Sequence, residues 1–247
     1  MANQTAMTAF ENRFSPAKVA PGAFADDNDV ILFTHIPKTA GMSVGKALQG
    51  AFDRFYPVSW QNTAKSFRFQ TREALYHRTQ TPLRRVLMGH FAWSEINFWK
   101  VQELPVKAAS IIRDPLARTV SNYNYNCSEK HPANAQFKER FPTLEEYAEN
   151  LPQDYQLHTM IGMFYSFDHA LEKLASYYSF IGVTEHLGAS LAHFGVSHGL
   201  EGLEEHRENQ GMIPASNEQI TDEVRNIVME KSHNDNRLHE LLMNYYA

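Results

Sequence analysis

The stretch that most narrows the possible folds is Asp29–Phe52, DVILFTHIPKTAGMSVGKALQGAF. Val30, Ile31, Leu32 and Phe33 form a short apolar run, the pattern of a buried strand. Pro37 to Gly41 cannot extend that strand and predict a tight loop. Beyond it, Val44, Ala47, Leu48, Ala51 and Phe52 recur at helical spacing and predict one apolar stripe. Strand, loop and helix in that order aim backbone N–H groups and a helix N-terminus at one point, which suits an anion. Lys38 adds a mobile positive charge, and Thr39 and Ser43 add hydroxyl donors. The loop is not a Walker A loop, because Gly41 and Gly45 are separated by three residues and Lys46 is followed by Ala47.

A second apolar run, Val86-Leu87-Met88, ends at Gly89-His90, and a third, within Lys107–Arg113, ends at Arg113-Asp114-Pro115. Ser179–Thr184 is a fourth candidate strand. Strands separated by helical stretches predict a parallel sheet, whose ligands sit at the carboxyl ends of the strands. Residues 36–43, 90 and 113 all lie just past such ends, so they are expected to converge. Tyr56–Arg68 has no clear period and reads as loop, with a short helix at Thr71–Gln80. From Thr143 onward the pattern is mainly helical. Thr143 with Glu146 forms a capping box, and Ser216 with Gln219 caps a helix lined by Ile220, Val224, Ile227 and Val228. Without repeats or a linker rich in Gly, Pro or Ser, the 247 residues read as a single α/β domain over 29–247, a central parallel sheet flanked by helices. Residues 1–28 are polar and without periodicity and are expected to form an arm or disordered leader.

Ile111–Tyr125 is the other informative stretch. Asp114 is a good N-cap and Pro115 suits the first helical turn. Asp114, Arg118, Ser121 and Tyr125 fall at i, i+4, i+7 and i+11 and give a polar face, opposite Leu116, Val120 and Tyr123. Arg113 at the strand end and Ser121 two turns into the helix are placed to reach one phosphate. Arg118 reads equally well as the partner of Asp114 in an i,i+4 ion pair on a solvated face.

HIPKTAGMS resembles the 5′-phosphosulfate loop of carbohydrate sulfotransferases that use 3′-phosphoadenosine 5′-phosphosulfate (PAPS). Pro37, Lys38, Thr39, Gly41 and Ser43 fall in the family's register, whereas Met42 stands where members more often have Thr or Ser. The eight positions from Arg113 to Ser121 match the spacing of the family's 3′-phosphate motif. The resemblance implies a P-loop-like nucleotide-binding fold and PAPS as co-substrate, leaving as 3′,5′-adenosine bisphosphate. The nucleotide would be held by Pro37, Lys38, Thr39, Ala40, Gly41, Met42, Ser43, Arg113 and Ser121. Arg207, in HRENQG where sulfotransferases often carry a basic loop over the nucleotide, is a further candidate phosphate contact. Lys38 would stabilise the bridging oxygen as the bisphosphate departs. His90, in a Gly-His-Phe segment like that of related enzymes, is the expected general base, with Gly89 leaving room and Phe91 and Trp93 forming an aromatic wall for a sugar. His35 and Glu95 are its rivals, since some related enzymes use a glutamate. The expected acceptor is a hydroxyl of an oligo- or polysaccharide. The alternatives are a P-loop-like kinase or nucleotidase and a non-catalytic nucleotide- or glycan-binding module.

A net charge of −5 argues against a nucleic-acid binder, whose footprint would be basic. Cys127 is the only cysteine, so no intrachain disulfide forms and a reducing compartment is favoured. The twelve histidines show no HExxH and no ligand-like spacing, so no metal is expected. No signal peptide and no apolar run of about 18 residues is present, so no membrane span is expected. Without the N-terminal anchor typical of Golgi sulfotransferases, the chain reads as a cytoplasmic enzyme of bacterial type, unless it is a trimmed ectodomain.

Overall fold

The computed structural model describes residues 2–26, 30–59, 61, 63–78, 83–102, 106–203 and 220–246. All five residues of β1 (Val30–Thr34) are buried. A strand with no solvated face belongs inside a sheet covered on both sides, and its alternate side chains enter different cores. Val30 and Leu32 join one core and Ile31 and Phe33 the other.

Four further strands complete the sheet: β2 (Arg54–Val58), β3 (Arg85–Gly89), β4 (Val106–Ile112) and β5 (Tyr178–Val183). Their order is β2-β3-β1-β4-β5, every neighbouring pair parallel. The expected single-domain α/β architecture is the one observed. The chain leaves β1 towards one edge, through β2 and β3, and then crosses to β4 and β5 on the other side. The switch point therefore lies between β1 and β4, where open parallel sheets bind ligands at the carboxyl ends. Register pairs Thr34 with Gly89 on one side and Ser110 on the other, which sets His35 level with His90.

In chain order the helices are α1 (Ala2–Phe14), α2 (Gly41–Ala51), α3 (Thr63–Arg78), α4 (Trp93–Val101), α5 (Pro115–Cys127) and α6 (Asn134–Arg140), then α7 (Leu144–Glu149), α8 (Tyr155–Ile161), α9 (Phe167–Tyr177), α10 (Leu187–His198), α11 (Asp222–Lys231) and α12 (His233–Tyr246). Val44 and Leu48 of α2, with Leu191 and Phe194 of α10, cover one face. The other face is covered from α1, α4, α8, α9 and α12 by residues such as Phe10, Trp99, Leu157, Leu171 and Leu242. Val120, Leu144, Ala148, Val224 and Val228 join α5, α7 and α11 in a satellite cluster. Among the described residues no helix is long and apolar enough to cross a membrane.

Three sequence expectations need correction. Residues 2–14, expected within an unstructured arm, form α1, whose Ala6, Phe10 and Phe14 are buried. Their i, i+4, i+8 spacing is a stripe one residue wide, too narrow to register as periodicity but enough to seat α1 on α9 and β5. Tyr56–Arg68, expected as loop, contributes to β2 and α3. β2 shows one fully buried residue, Val58, and carries Pro57, which an edge strand tolerates. The helix expected from Ser216 starts later among the described residues, at Asp222, where Thr221 Oγ1 accepts from Val224 N–H. Ser216 and Gln219 lie outside the described residues. Thr143 does cap α7, accepting from Glu146 N–H.

Candidate active site

Between β1 and α2 two non-glycine residues adopt left-handed backbone, Lys38 at φ 73° and Ala40 at φ 58°. Such positions cost on the order of 1–2 kcal/mol each and persist only where the surroundings fix them. Here they turn the chain sharply into α2. Ala40 offers no side-chain cap, and the first helical N–H to find its acceptor is that of Val44, on Ala40 O at 3.0 Å. The N–H groups of Gly41, Met42 and Ser43 thus form an uncapped helix start, the local geometry of an anion site. Ser43 is buried, and the Met42 side chain is exposed. Thr39, expected to offer its hydroxyl outward, is 2 % exposed and donates to Ile36 O at 2.9 Å. Its proton closes the turn.

The loop is tied to the second motif in two places. Arg113 Nη1 donates to Lys38 O at 3.2 Å. Lys38 Nζ stands 4.3 Å from the centroid of Tyr125, on α5. Burial, then the charges of Arg113 and Lys130, lower the Lys38 pKa. Positive charge is therefore concentrated at the switch point of a chain that is negative overall.

His90 follows β3 and lies on the start of the loop. Its ring stacks on His35 at 4.4 Å, and its Nδ1 is 2.8 Å from His35 O. A carbonyl oxygen only accepts, so Nδ1 carries the proton and Nε2 bears the lone pair. Burial lowers the His90 pKa, against the opposing effect of that hydrogen bond. His35 is held neutral, pushed down to about 3 by burial and then by His90 and Lys38. The ring of His35 fills the space beside Gly41: a Cβ there would lie 1.8 Å from His35 Nε2. Glu95, the rival base, caps α4 instead, its Oε2 accepting from Ala92 N–H at 3.1 Å and Ser94 Oγ at 2.7 Å.

The expected aromatic wall is not there. Phe91 is 1 % exposed and packs on Phe67 in the core. Trp93 meets the Tyr177 ring edge-on at 4.5 Å, beneath Lys173 Nζ. The room left by Gly89 is filled by Val58, whose Cβ would be 2.6 Å from an added methyl.

Arg113 leaves the end of β4 held by Gln156, whose Oε1 accepts the Arg113 N–H at 3.0 Å while its Nε2 donates to Arg113 O at 2.8 Å. Asp114 caps α5, accepting from Ala117 N–H at 2.7 Å, and its own N–H donates to Glu185 Oε1 at 2.9 Å. Glu185 Oε2 also meets His239 Nε2 at 3.1 Å. Burial works to raise the Glu185 pKa, but the hydrogen bonds from His239 and Asp114 hold it below the usual range. Arg118 is not on a solvated face beside Asp114: it is 3 % exposed, lies 4.5 Å over the Tyr155 ring, and its Nε has no hydrogen-bond partner among the described residues. The carboxylate that would have paired with it is engaged as the helix cap. Ser121 is half-buried on the same helix.

The fold thus brings together residues 35–43, His90 and Arg113, with Ser121 on the helix that Arg113 precedes; Arg207 lies outside the described residues. Sequence reading passed over Gln156 and His239, and it placed Glu185 only at the end of a helix–strand segment resembling the one near the family's adenine, without a role of its own. Glu185 was within reach of the rule that found His90 and Arg113, because it lies two residues past β5.

The sequence model of the sulfotransferase family matches residues 21–247. No curated protein sequence matches the chain. Among solved structures, mouse sulfotransferase SULT7A1 complexed with PAP is similar over 91% of both chains, with a TM-score of 0.50 and 14% identity, a likeness of fold. Since the family match runs from the segment before β1 to the last residue, the chain belongs to the sulfotransferase family.

Proposed function

We propose that this enzyme transfers the sulfuryl group of PAPS to a hydroxyl of a carbohydrate acceptor. The observation that carries the reading is the junction of the two phosphate-binding motifs, Arg113 Nη1 on the carbonyl of Lys38. The residues fit a bisphosphorylated nucleotide: an uncapped helix start for one anion, Arg113 with Ser121 for another, and the buried Nε of Arg118, without a partner among the described residues, on the same helix as Ser121. The PAP named for the mouse structure has this phosphate pattern. Carbohydrate as the acceptor class rests on the likeness of HIPKTAGMS to carbohydrate sulfotransferases. The single cysteine, Cys127, supports a reducing, cytoplasmic setting.

PAPS, when bound, supplies the sulfuryl group and a bisphosphate leaving group. Lys38 and the N–H groups of Gly41, Met42 and Ser43 neutralise charge on the departing oxygen, a role normally worth about 10²–10³ in rate per donor. Arg113 and Ser121 hold the 3′-phosphate. His90 Nε2 accepts the acceptor's proton as the new O–S bond forms and the S–O bond to the leaving phosphate breaks. Orientation and charge neutralisation do most of the work, as in phosphoryl transfer.

Calorimetry with 3′,5′-adenosine bisphosphate and AMP tests the nucleotide assignment. A charge-assisted hydrogen bond is worth about 1.5–3 kcal/mol, so Arg113→Ala should weaken bisphosphate binding roughly ten- to a hundredfold. Equal affinity of the wild type for both nucleotides would sink the assignment. A panel of glycans with labelled PAPS tests the acceptor; binding without transfer to any hydroxyl would make the chain a binding module.

A further inference from the structure

Gln156 is fully buried at the start of α8, 43 residues from Arg113, yet its side chain takes both backbone groups of that arginine. Arg113 has just left the sheet: the last carbonyl of β4, Ile112 O, still accepts from Thr184 N–H, whereas the next N–H and C=O, those of Arg113, are met by the Gln156 side chain. Buried backbone groups need partners, and the carboxamide, one acceptor and one donor on a single planar group, supplies both.

Gln156 is itself held from behind. Its N–H donates to Asp235 Oδ2 and the Leu157 N–H to Asp235 Oδ1, both at 2.9 Å. In return Asp154 Oδ1 accepts from Asn234 N–H at 2.7 Å and Asp235 N–H at 3.1 Å. The starts of α8 and α12 therefore cap each other through two aspartates, which fixes one helix against the other. A continuous path of hydrogen bonds leads from α12 through Asp235 and Gln156 to the backbone of Arg113, and from the Arg113 guanidinium to the Lys38 carbonyl.

We propose that Gln156 is a positioning residue of the nucleotide site, fixing the backbone of Arg113 and thereby the place of its guanidinium. The proposal rests on the reading that Arg113 holds the 3′-phosphate. The lever is long: with the guanidinium some 6–7 Å from its Cα, a backbone rotation of about 10° moves it about 1 Å, enough to lose hydrogen-bond geometry. A residue that merely filled the core would not need both ends of a carboxamide on the backbone of this one residue.

The test is a double-mutant cycle by calorimetry on the full chain, with wild type, Gln156→Met, Arg113→Ala and the double variant. The probes are 3′,5′-adenosine bisphosphate and AMP. Methionine keeps the volume and removes both hydrogen bonds. Gln156→Met is expected to weaken bisphosphate binding about tenfold and to change AMP binding by less than about twofold. In the Arg113→Ala background the same substitution should change bisphosphate affinity by less than about twofold, because the side chain it positions is gone. An equal loss for both nucleotides, no loss at all, or a loss that persists without Arg113 would overturn the proposal. Should Gln156→Met fail to fold, Gln156→Asn, which retains donor and acceptor on a shorter stem, enters the same cycle with the same deciding outcomes. Unchanged bisphosphate affinity in Arg113→Ala would remove the nucleotide assignment and the proposal with it, whereas a strong Arg113 effect without coupling to Gln156 removes the proposal alone.

Discussion

At the scale of single residues, the role proposed for His90 rests on its stacking with His35. The His35 carbonyl fixes the tautomer of His90, and the His35 ring, neutral down to about 3, adds no charge beside it. His90 is left with an accepting Nε2 and a pKa lowered by burial. A general base acts when neutral, so its contribution is present above its pKa and is lost as pH falls through it. In kcat/KM, which reports the free enzyme, the acid limb should therefore lie below the ordinary histidine value of about 6.5. His90→Ala should cost about 10²–10⁴ in kcat while bisphosphate affinity stays unchanged. A variant with near-wild-type kcat on a competent acceptor would return the role to Glu95, and the kcat/KM profile of Glu95→Gln would show it.

At the scale of elements, the junction of β1 and α2 depends on one missing methyl. Gly41 occupies the first position of α2, where alanine would ordinarily raise helix stability by up to about 1 kcal/mol. Here the added Cβ would overlap the His35 ring, which is pinned between the loop and His90. Gly41→Ala should instead destabilise by about 1–3 kcal/mol, the usual effect of overpacking, and weaken bisphosphate binding by shifting the loop. Denaturant midpoints and calorimetry check both; a stabilised variant would contradict the packing account. At the far side of the sheet, β5 is an edge whose carbonyls are met by side chains, Tyr178 O by Arg13 Nε and Ile181 O by Tyr246 Oη. Helices from the two ends of the chain thus cover the strand edge that would otherwise be open to pairing.

For the molecule as a whole, buried histidines set the response to acid. His35 and His198 are pushed down to about 3 and His193 to about 4, each chiefly by burial. In the unfolded chain they take up protons near pH 6.5, so between 6.5 and their folded values the unfolded state binds more protons and stability falls with pH. Asp235 acts oppositely: burial raises it to about 7, so the folded state holds a proton that the unfolded chain releases above its ordinary value of 3.8. Three groups outweigh one, each bounded by a slope of about 1.4 kcal/mol per pH unit. Urea midpoints should be lower at pH 5 than at pH 7.5, and a midpoint equal or higher at pH 5 would show that these histidines are not desolvated as the fold implies.

Much of this was legible in the sequence because it is local. An apolar run ending in PKTAG, a second ending at Gly89-His90 and a third at Arg113 each declare a strand end, and parallel topology brings strand ends together wherever the helices lie. What surrounds those ends depends on contacts between residues far apart in the chain, which periodicity does not encode. Phe91 and Trp93 carry the same apolar signal whether they face a sugar or a core, and only the packing of α3 and α9 decides for the core. Arg118 and Asp114 have ion-pair spacing, yet the helix start claims the carboxylate and Tyr155 takes the guanidinium. Gln156 has no local signature at all. Its role exists because the reciprocal caps of Asp154 and Asp235 set α8 where a carboxamide reaches the peptide of Arg113. The chemistry proposed for the site rests on short motifs, and the positions of its residues were decided by tertiary hydrogen bonds, which satisfy buried polar groups with whichever partners the packed fold brings within reach.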